Sequence, residues 1–262
     1  MKLFTASVWF NHVFHSTGLR SVHSPWLYRL YYSLRNPKAL KDAAITKIAF
    51  LHGQLRADKT PLIFDEIGSR EGLMKSTVSE VFRRTASSIR DAEMIAELAK
   101  LFNRKTILEM GTAFGTTTLA MHFAARESRI VTLEGVPEIA AIAKEHFEKY
   151  EAENVILKTG RFSETLPQVV AEEHDLGLVF IDGHHRRKPT LDYLEMIVPS
   201  LSEKAVVVID DIYYSREMSQ CWSDLQQHPA FQVKMDFFRF GLLIKNADLS
   251  AECFRLRVKK LL

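Results

Sequence analysis

A chain of 262 residues, 47% hydrophobic and 26% charged, has room for one large domain or for one domain with a substantial extension, in the proportions of an ordinary globular protein. Its formal net charge of +3 is too small to argue for nucleic acid, and no run of about 20 apolar residues offers a membrane-spanning helix. The two cysteines, Cys221 and Cys253, lie far apart and match no metal spacing, which suits free thiols in a reducing compartment.

Residues 1–56 read as helical and aromatic-rich. The opening Met1-Lys2-Leu3-Phe4-Thr5-Ala6-Ser7-Val8-Trp9-Phe10 carries one lysine and a short apolar patch, soon interrupted by His12 and His15. That is a poor secretory signal, so a cytoplasmic protein is expected. Trp9, Phe10, Val13 and Phe14 form one apolar stripe at helical spacing. Trp26, Leu27, Leu30, Tyr31 and Leu34 form a second, opened by Ser24-Pro25 and closed by Asn36-Pro37. A third helical pattern covers 41–56. These stripes are expected to pack on the main domain or across a homodimer; the polar face of 3–14 is not basic enough to favour a membrane surface. Residues 57–76, with Lys59-Thr60-Pro61 and Gly68-Ser69-Arg70-Glu71-Gly72, are expected as loop. Thr77-Val78-Ser79-Glu80 has the form of a capping box, and Asp91 starts a further helix with Ile95, Leu98, Ala99 and Phe102 on one face. The segment 1–90 therefore reads as a helical extension, a cap or dimerisation element, before a main domain at 91–262.

From residue 105 the pattern alternates. Apolar runs at 106–110, 130–134, 154–158, 177–182 and 205–210 are separated by helical patterns at 116–126, 137–150, 163–173, 189–200 and 215–226. Repeated strand–helix units predict a doubly wound α/β fold with a parallel sheet. Phe231–Phe238 and Gly241–Lys245 lie too close for a helical crossover, so the sheet is expected to finish with an antiparallel strand; 252–258 offers one more strand.

The run Ile107-Leu108-Glu109-Met110 enters the turn Gly111-Thr112-Ala113-Phe114-Gly115, and Thr116-Thr117-Thr118 follow as a helix start. Strand, glycine turn and helix N-terminus together hold nucleotide-like ligands. Glu134 closes the next apolar run, about 20 residues on, where a ribose-binding carboxylate is expected. No Gly-Lys-Ser/Thr follows, which excludes a P-loop, and Ala113 stands where a dinucleotide fingerprint has its middle glycine. Glu109 would repel a phosphate and attract an ammonium group, so the turn favours a ligand with an amino-acid end.

On these residues, segment 105–245 resembles the class I S-adenosylmethionine-dependent methyltransferases, and within them the small-molecule O-methyltransferases of the catechol and caffeoyl-CoA type, whose first motif has the same acidic-x-Gly-x-x-x-Gly spacing. The resemblance covers a little over half of the chain. His23-Ser24-Pro25 and the helical leader resemble an uncharacterised bacterial group. The resemblance implies a Rossmann-like sheet of seven strands, the last antiparallel. It implies S-adenosyl-L-methionine as cofactor, lined by Gly111, Thr112, Ala113, Phe114 and Gly115. Glu109 would lie near the methionine amino group, Thr117 at its carboxylate and Glu134 on both ribose hydroxyls. Gly160, Arg161 and Phe162 would lie at the adenine, with Arg161 standing where the family usually has an acid.

Two further strands deliver polar residues to the carboxyl end of the sheet, in Asp182-Gly183-His184-His185-Arg186-Arg187-Lys188 and in Asp210-Asp211. In the metal-dependent members an Asp and an Asp-Asn pair hold a divalent cation. Asp182, Asp210 and Asp211 match those places, with Asp211 for the Asn, and three carboxylates suit Mg2+, Ca2+ or Mn2+. The same carboxylates can instead serve the cofactor or the substrate, or cap a loop. Asp182 is also a candidate for the chemistry itself, beside His185. His185 stands where those members carry a catalytic lysine, and an imidazole can act as base at neutral pH. Arg186, Arg187 and Lys188 read as a solvated charge run or an anion site. The expected activity is methylation of a small-molecule hydroxyl. Two other readings stand beside it. One is RNA methylation, although no Asn/Asp-Pro-Pro-Tyr/Phe motif follows 177–182. The other is a non-catalytic cofactor-binding or scaffold protein.

Overall fold

The computed structural model describes residues 2–18, 21–66, 72–103 and 105–257. In chain order its helices are α1 (Lys2–His15), α2 (Pro25–Arg35), α3 (Asp42–Ala57), α4 (Val78–Thr85), α5 (Ile89–Leu101), α6 (Thr116–Ala124), α7 (Pro137–Lys149), α8 (Phe162–Glu172), α9 (Arg187–Ile197) and α10 (Arg216–Leu225). Its strands are β1 (Pro61–Glu66), β2 (Gly72–Thr77), β3 (Thr106–Met110), β4 (Ile130–Glu134), β5 (Val155–Thr159), β6 (Leu176–Ile181), β7 (Leu201–Asp210), β8 (Val233–Asp236), β9 (Phe240–Lys245) and β10 (Glu252–Arg255). Two compact units result: 37–173, and 1–36 together with 174–262. The fold is mixed α/β and Rossmann-like.

In unit 37–173, β3, β4 and β5 run parallel in that order. Val131, Leu133, Ile107 and Leu108 are fully or almost fully buried, as near-continuous apolar runs in a parallel sheet require. The starts of α4 and α5 follow the side-chain chemistry. Ser88 caps α5 by accepting from Asp91 N–H, and the Thr77–Glu80 capping box opens α4. One core joins Leu51, Leu55, Leu62, Phe64, Phe82, Phe114, Ile139 and Phe147.

The loop expected over 57–76 is corrected in part by the structure: β1 and β2 form an antiparallel pair with Leu62 opposite Ser76 and Phe64 opposite Met74. Pro61 is allowed because it is the first residue of its strand, where no ladder N–H is needed. Leu62 and Phe64 point inward while Ile63 is 54% exposed, a period of two that the proline and glycines masked. Residues 67–71 of that expected loop lie outside the described residues.

In the other unit the strand order is β10-β8-β9-β7-β6. β6 and β7 are parallel, and β9 is antiparallel to both β7 and β8. β10 pairs parallel to β8, so the strands β3–β10 number eight among the described residues where seven were expected. The addition satisfies backbone groups that β8 would otherwise leave open at its edge. α1 and α2 are tied to this end. His12 Nε2 lies 3.1 Å from Asp236 Oδ1, the Tyr31 hydroxyl donates to Arg257 C=O at 2.6 Å, and Thr17 N–H donates to Arg255 C=O at 2.8 Å. Trp9, Phe10 and Phe14 of α1 are exposed. Among the described residues no helix is long and apolar enough to cross a membrane.

Candidate active site

The glycine turn is built by left-handed backbone. Gly111 has φ 110°, Ala113 φ 45° and Gly115 φ 78°. A Cβ on Gly115 would stand 2.6 Å from the Phe147 ring, so both its φ and its packing call for glycine. The turn is anchored on β4, with Gly111 N–H and Thr112 N–H both donating to Leu133 C=O, at 2.9 and 3.1 Å. Gly115 is the residue before the first turn of α6, whose amide dipoles favour negative charge there.

Glu109 is completely buried at the end of β3. The Thr118 and Thr132 hydroxyls both donate to its Oε2, at 2.5 and 2.6 Å, while its Oε1 has no hydrogen-bond partner. Burial pushes the carboxyl up to about 7, against the pull of those two hydroxyls. A buried, half-satisfied carboxylate is costly unless a ligand completes it, and an ammonium group is the natural complement. Glu134 ends β4 with each oxygen held by backbone: Oε2 accepts from Ala113 N–H at 2.8 Å and Oε1 from Val136 N–H at 2.9 Å. Burial raises its pKa while those amides pull it down. The Gly135 amide also bears on the carboxylate, and a carboxylate has about four lone-pair sites, so acceptor capacity is left for a hydroxyl donor.

The other predicted residues of this unit are placed as follows. Thr112 is buried, with its hydroxyl 2.6 Å from that of Thr132. The ring of Phe114 packs in the core against Phe82, which leaves only its backbone at the turn; its carbonyl accepts from His146 Nδ1 at 2.9 Å. Thr117 is buried in the first turn of α6. Gly160 has φ 143°, and its N–H donates to Glu134 C=O at 2.9 Å, which ties the turn after β5 to the turn after β4. Arg161 is exposed and Phe162 half-buried at the start of α8. Sequence reasoning passed over Thr118 and Thr132 as partners of Glu109. Thr132 is legible once β3 and β4 are paired, because it stands directly opposite Glu109 in the register.

In the unit containing 174–262, Asp182 follows β6 and begins a tight loop. His184 (φ 68°) and His185 (φ 37°) are consecutive left-handed residues, an arrangement disfavoured for side chains with a Cβ and found where a site fixes it. His184 Nδ1 lies 2.9 Å from the Tyr193 hydroxyl. His185 Nε2 lies 3.8 Å from Asp182 Oδ1, and its ring lies 5.6 Å from that of Tyr214. Arg187 is spoken for by Asp224, at 2.6 Å, and Lys188 by Asp192, at 2.7 Å.

Asp210, buried at the end of β7, accepts a bidentate pair from Arg239, Nε at 3.1 Å and Nη2 at 2.8 Å. Arg239 Nη1 lies 3.0 Å from Asp211 Oδ1. Burial and the nearby Asp182 carboxylate push Asp210 well up, against the pull of Arg239. Burial works against the charge on Arg239, but Asp210, Asp211 and Asp182 together hold its pKa above the usual value. Among the described residues no group of three or more carboxylates, imidazoles and thiols is arranged to hold a metal ion. The divalent cation expected at Asp182, Asp210 and Asp211 does not fit the residues present, because a guanidinium already lies against two of the three. Arg239 carried a faint signal in the sequence, as the one basic residue in Phe237-Phe238-Arg239-Phe240.

Residues 108–212 match a family described as a methyltransferase domain. The chain is 30% identical over 118 residues to a catechol O-methyltransferase of Niastella koreensis, a match covering 44% of this chain and 52% of that enzyme. It thus spans about half the length of this relative. The fold is similar to a putative caffeoyl-CoA O-methyltransferase from Staphylococcus aureus, with a TM-score of 0.55 at 20% identity over 64% of this chain and 91% of that one. It is also similar to an SAH-bound methyltransferase of Podospora anserina, with a TM-score of 0.59 at 19% identity over 87% of this chain and 97% of that one.

Proposed function

We propose that this chain, which carries a methyltransferase domain over residues 108–212, is an S-adenosylmethionine-dependent O-methyltransferase acting on a small-molecule hydroxyl. The observation that carries the reading is the pair of carboxylates about the glycine turn: Glu109 buried with one oxygen unpartnered, and Glu134 with both oxygens aimed by backbone amides. That donor set suits an ammonium group and a ribose diol, and S-adenosylmethionine offers both. The first turn of α6, Thr116–Thr118, carries helix N-terminal amides that suit the carboxylate of the same amino-acid moiety.

When bound, S-adenosylmethionine supplies an activated methyl group. What remains for the protein is to hold the acceptor hydroxyl in line and to take its proton. His185, with the Asp182 carboxylate 3.8 Å from its Nε2, has the chemistry of a base near an acid. The relatives are O-methyltransferases, which favours this reading over RNA methylation and over a non-catalytic scaffold. A cytoplasmic location belongs to the same proposal.

Transfer of a tritiated methyl group from S-adenosylmethionine to a panel of phenols and catechols, compared with total RNA, tests the assignment. Label in the small molecules, lost in His185→Ala, is the expected result. Label in RNA alone would overturn it.

A further inference from the structure

The acidic residues at the carboxyl ends of β6 and β7 call for a cation, and the chain supplies one of its own. Arg239 is presented by a hydrogen-bonded turn between β8 and β9: Phe237 N–H donates to Phe240 C=O at 3.0 Å, and Arg239 N–H donates to Phe237 C=O at 2.8 Å. Phe238, at φ 68°, gives the turn its bend. From there the guanidinium reaches both carboxylates that follow one another in the chain, bidentate on Asp210 and single on Asp211.

We propose that Arg239 takes the place of a divalent cation at Asp210 and Asp211, so that methyl transfer by this chain is independent of metal. The proposal rests on the O-methyltransferase reading for its purpose, though not for its geometry. A guanidinium stays charged at every accessible pH, and its planar fork matches a carboxylate in the bidentate manner seen here. A divalent ion bound to Asp210 would have to displace Nε and Nη2, leaving a positive guanidinium beside a doubly positive ion. Asp210 is only 4% exposed, so an ion taking the place of the guanidinium there would have to shed most of its water, while the Arg239 side chain, 44% exposed, keeps its own charge partly solvated. With the carboxylates matched internally, the group left for the acceptor proton is His185, next to Asp182.

The test is Mn2+ uptake, read from the electron paramagnetic resonance signal of the free ion. Full-length protein dialysed against EDTA is expected to take up no Mn2+ at millimolar concentration and to keep its thermal midpoint when the ion is added. Arg239→Met, which frees both carboxylates, is expected to gain a Mn2+ site that a further Asp210→Asn change removes. Uptake by the wild type that Asp210→Asn abolishes would overturn the proposal, and so would a folded Arg239→Met variant that takes up none. Should Arg239→Met fail to fold, the wild-type titration decides alone. Failure of the same wild-type sample to bind S-adenosylmethionine would instead overturn the functional reading and leave the Arg239 result standing.

Discussion

At the scale of single residues, Glu109 is where the fold meets the ligand proposed for it. Its folded pKa of about 7 lies above the ordinary value near 4.3, so the apo protein holds it protonated through weakly acidic pH. The linkage has one sign. A carboxyl raised on folding contributes stability that is fully present below the unfolded value and lost as pH rises through the folded one. The stability of the apo protein should therefore carry a component that falls between about 4.3 and about 7. Binding an ammonium group favours the ionised form, so cofactor affinity should climb as pH rises through about 7. Calorimetric titration at a series of pH values checks this. Glu109→Gln should bind more weakly, by about 1.5–3 kcal/mol, and lose the climb; an unchanged slope in the variant would exclude Glu109 as its source. The carboxylate and the two glycines of this turn were legible because each does something only that residue type does. Thr118 was not, since a threonine in a run of three gives no sign of which hydroxyl turns inward.

At the scale of elements, a few helix starts could be read from their caps. Ser24 and Thr77 accept the amides their positions call for and Pro25 stands at the first helical position, whereas Ser88 caps α5 ahead of the start expected at Asp91. β1 was hidden because its proline and the nearby glycines carry the chemistry of a turn, while the alternation that marks it as a strand is only four residues long. What no local pattern could show is where the leader attaches. α1 is fastened by His12 to Asp236, a side chain that also accepts from the Tyr213 hydroxyl at 2.5 Å and from Phe238 N–H at 2.9 Å. Burial alone would raise the pKa of Asp236, but the hydrogen bonds from His12, Tyr213 and Phe238 outweigh it and leave the group below the usual carboxylate range. A lowered carboxyl contributes stability that is present above its unfolded value, near 3.9, and lost as pH falls through the folded one. Asp236→Asn should cost about 1–3 kcal/mol at neutral pH and flatten the acid limb of the unfolding curve. Chemical denaturation at neutral and acid pH measures both; an equal loss at the two would place the effect in packing rather than charge.

At the scale of the whole molecule, alternating strand and helix patterns after residue 105 were enough to read the class of fold. The eighth strand needed the three-dimensional edge of β8 to explain it. The acidic cluster was legible as carboxylates at strand ends, while its partner was not, because Arg239 lies 29 residues beyond Asp210 and reaches it only through the β8–β9 turn. Methyl transfer to any acceptor requires that the chain first bind the methyl donor proposed for Glu109 and Glu134. A ligand that binds only the folded chain raises its stability by about 2.7 kcal/mol at a hundredfold excess over Kd, which makes the claim accessible to melting as well as to heat.

The most direct measurement is isothermal titration of the wild type and Glu134→Ala with S-adenosylmethionine. Saturable one-site binding by the wild type, weakened roughly 10- to 150-fold by loss of the charge-assisted ribose bonds, is the predicted result. No binding by the wild type, or equal affinity in the variant, would contradict it.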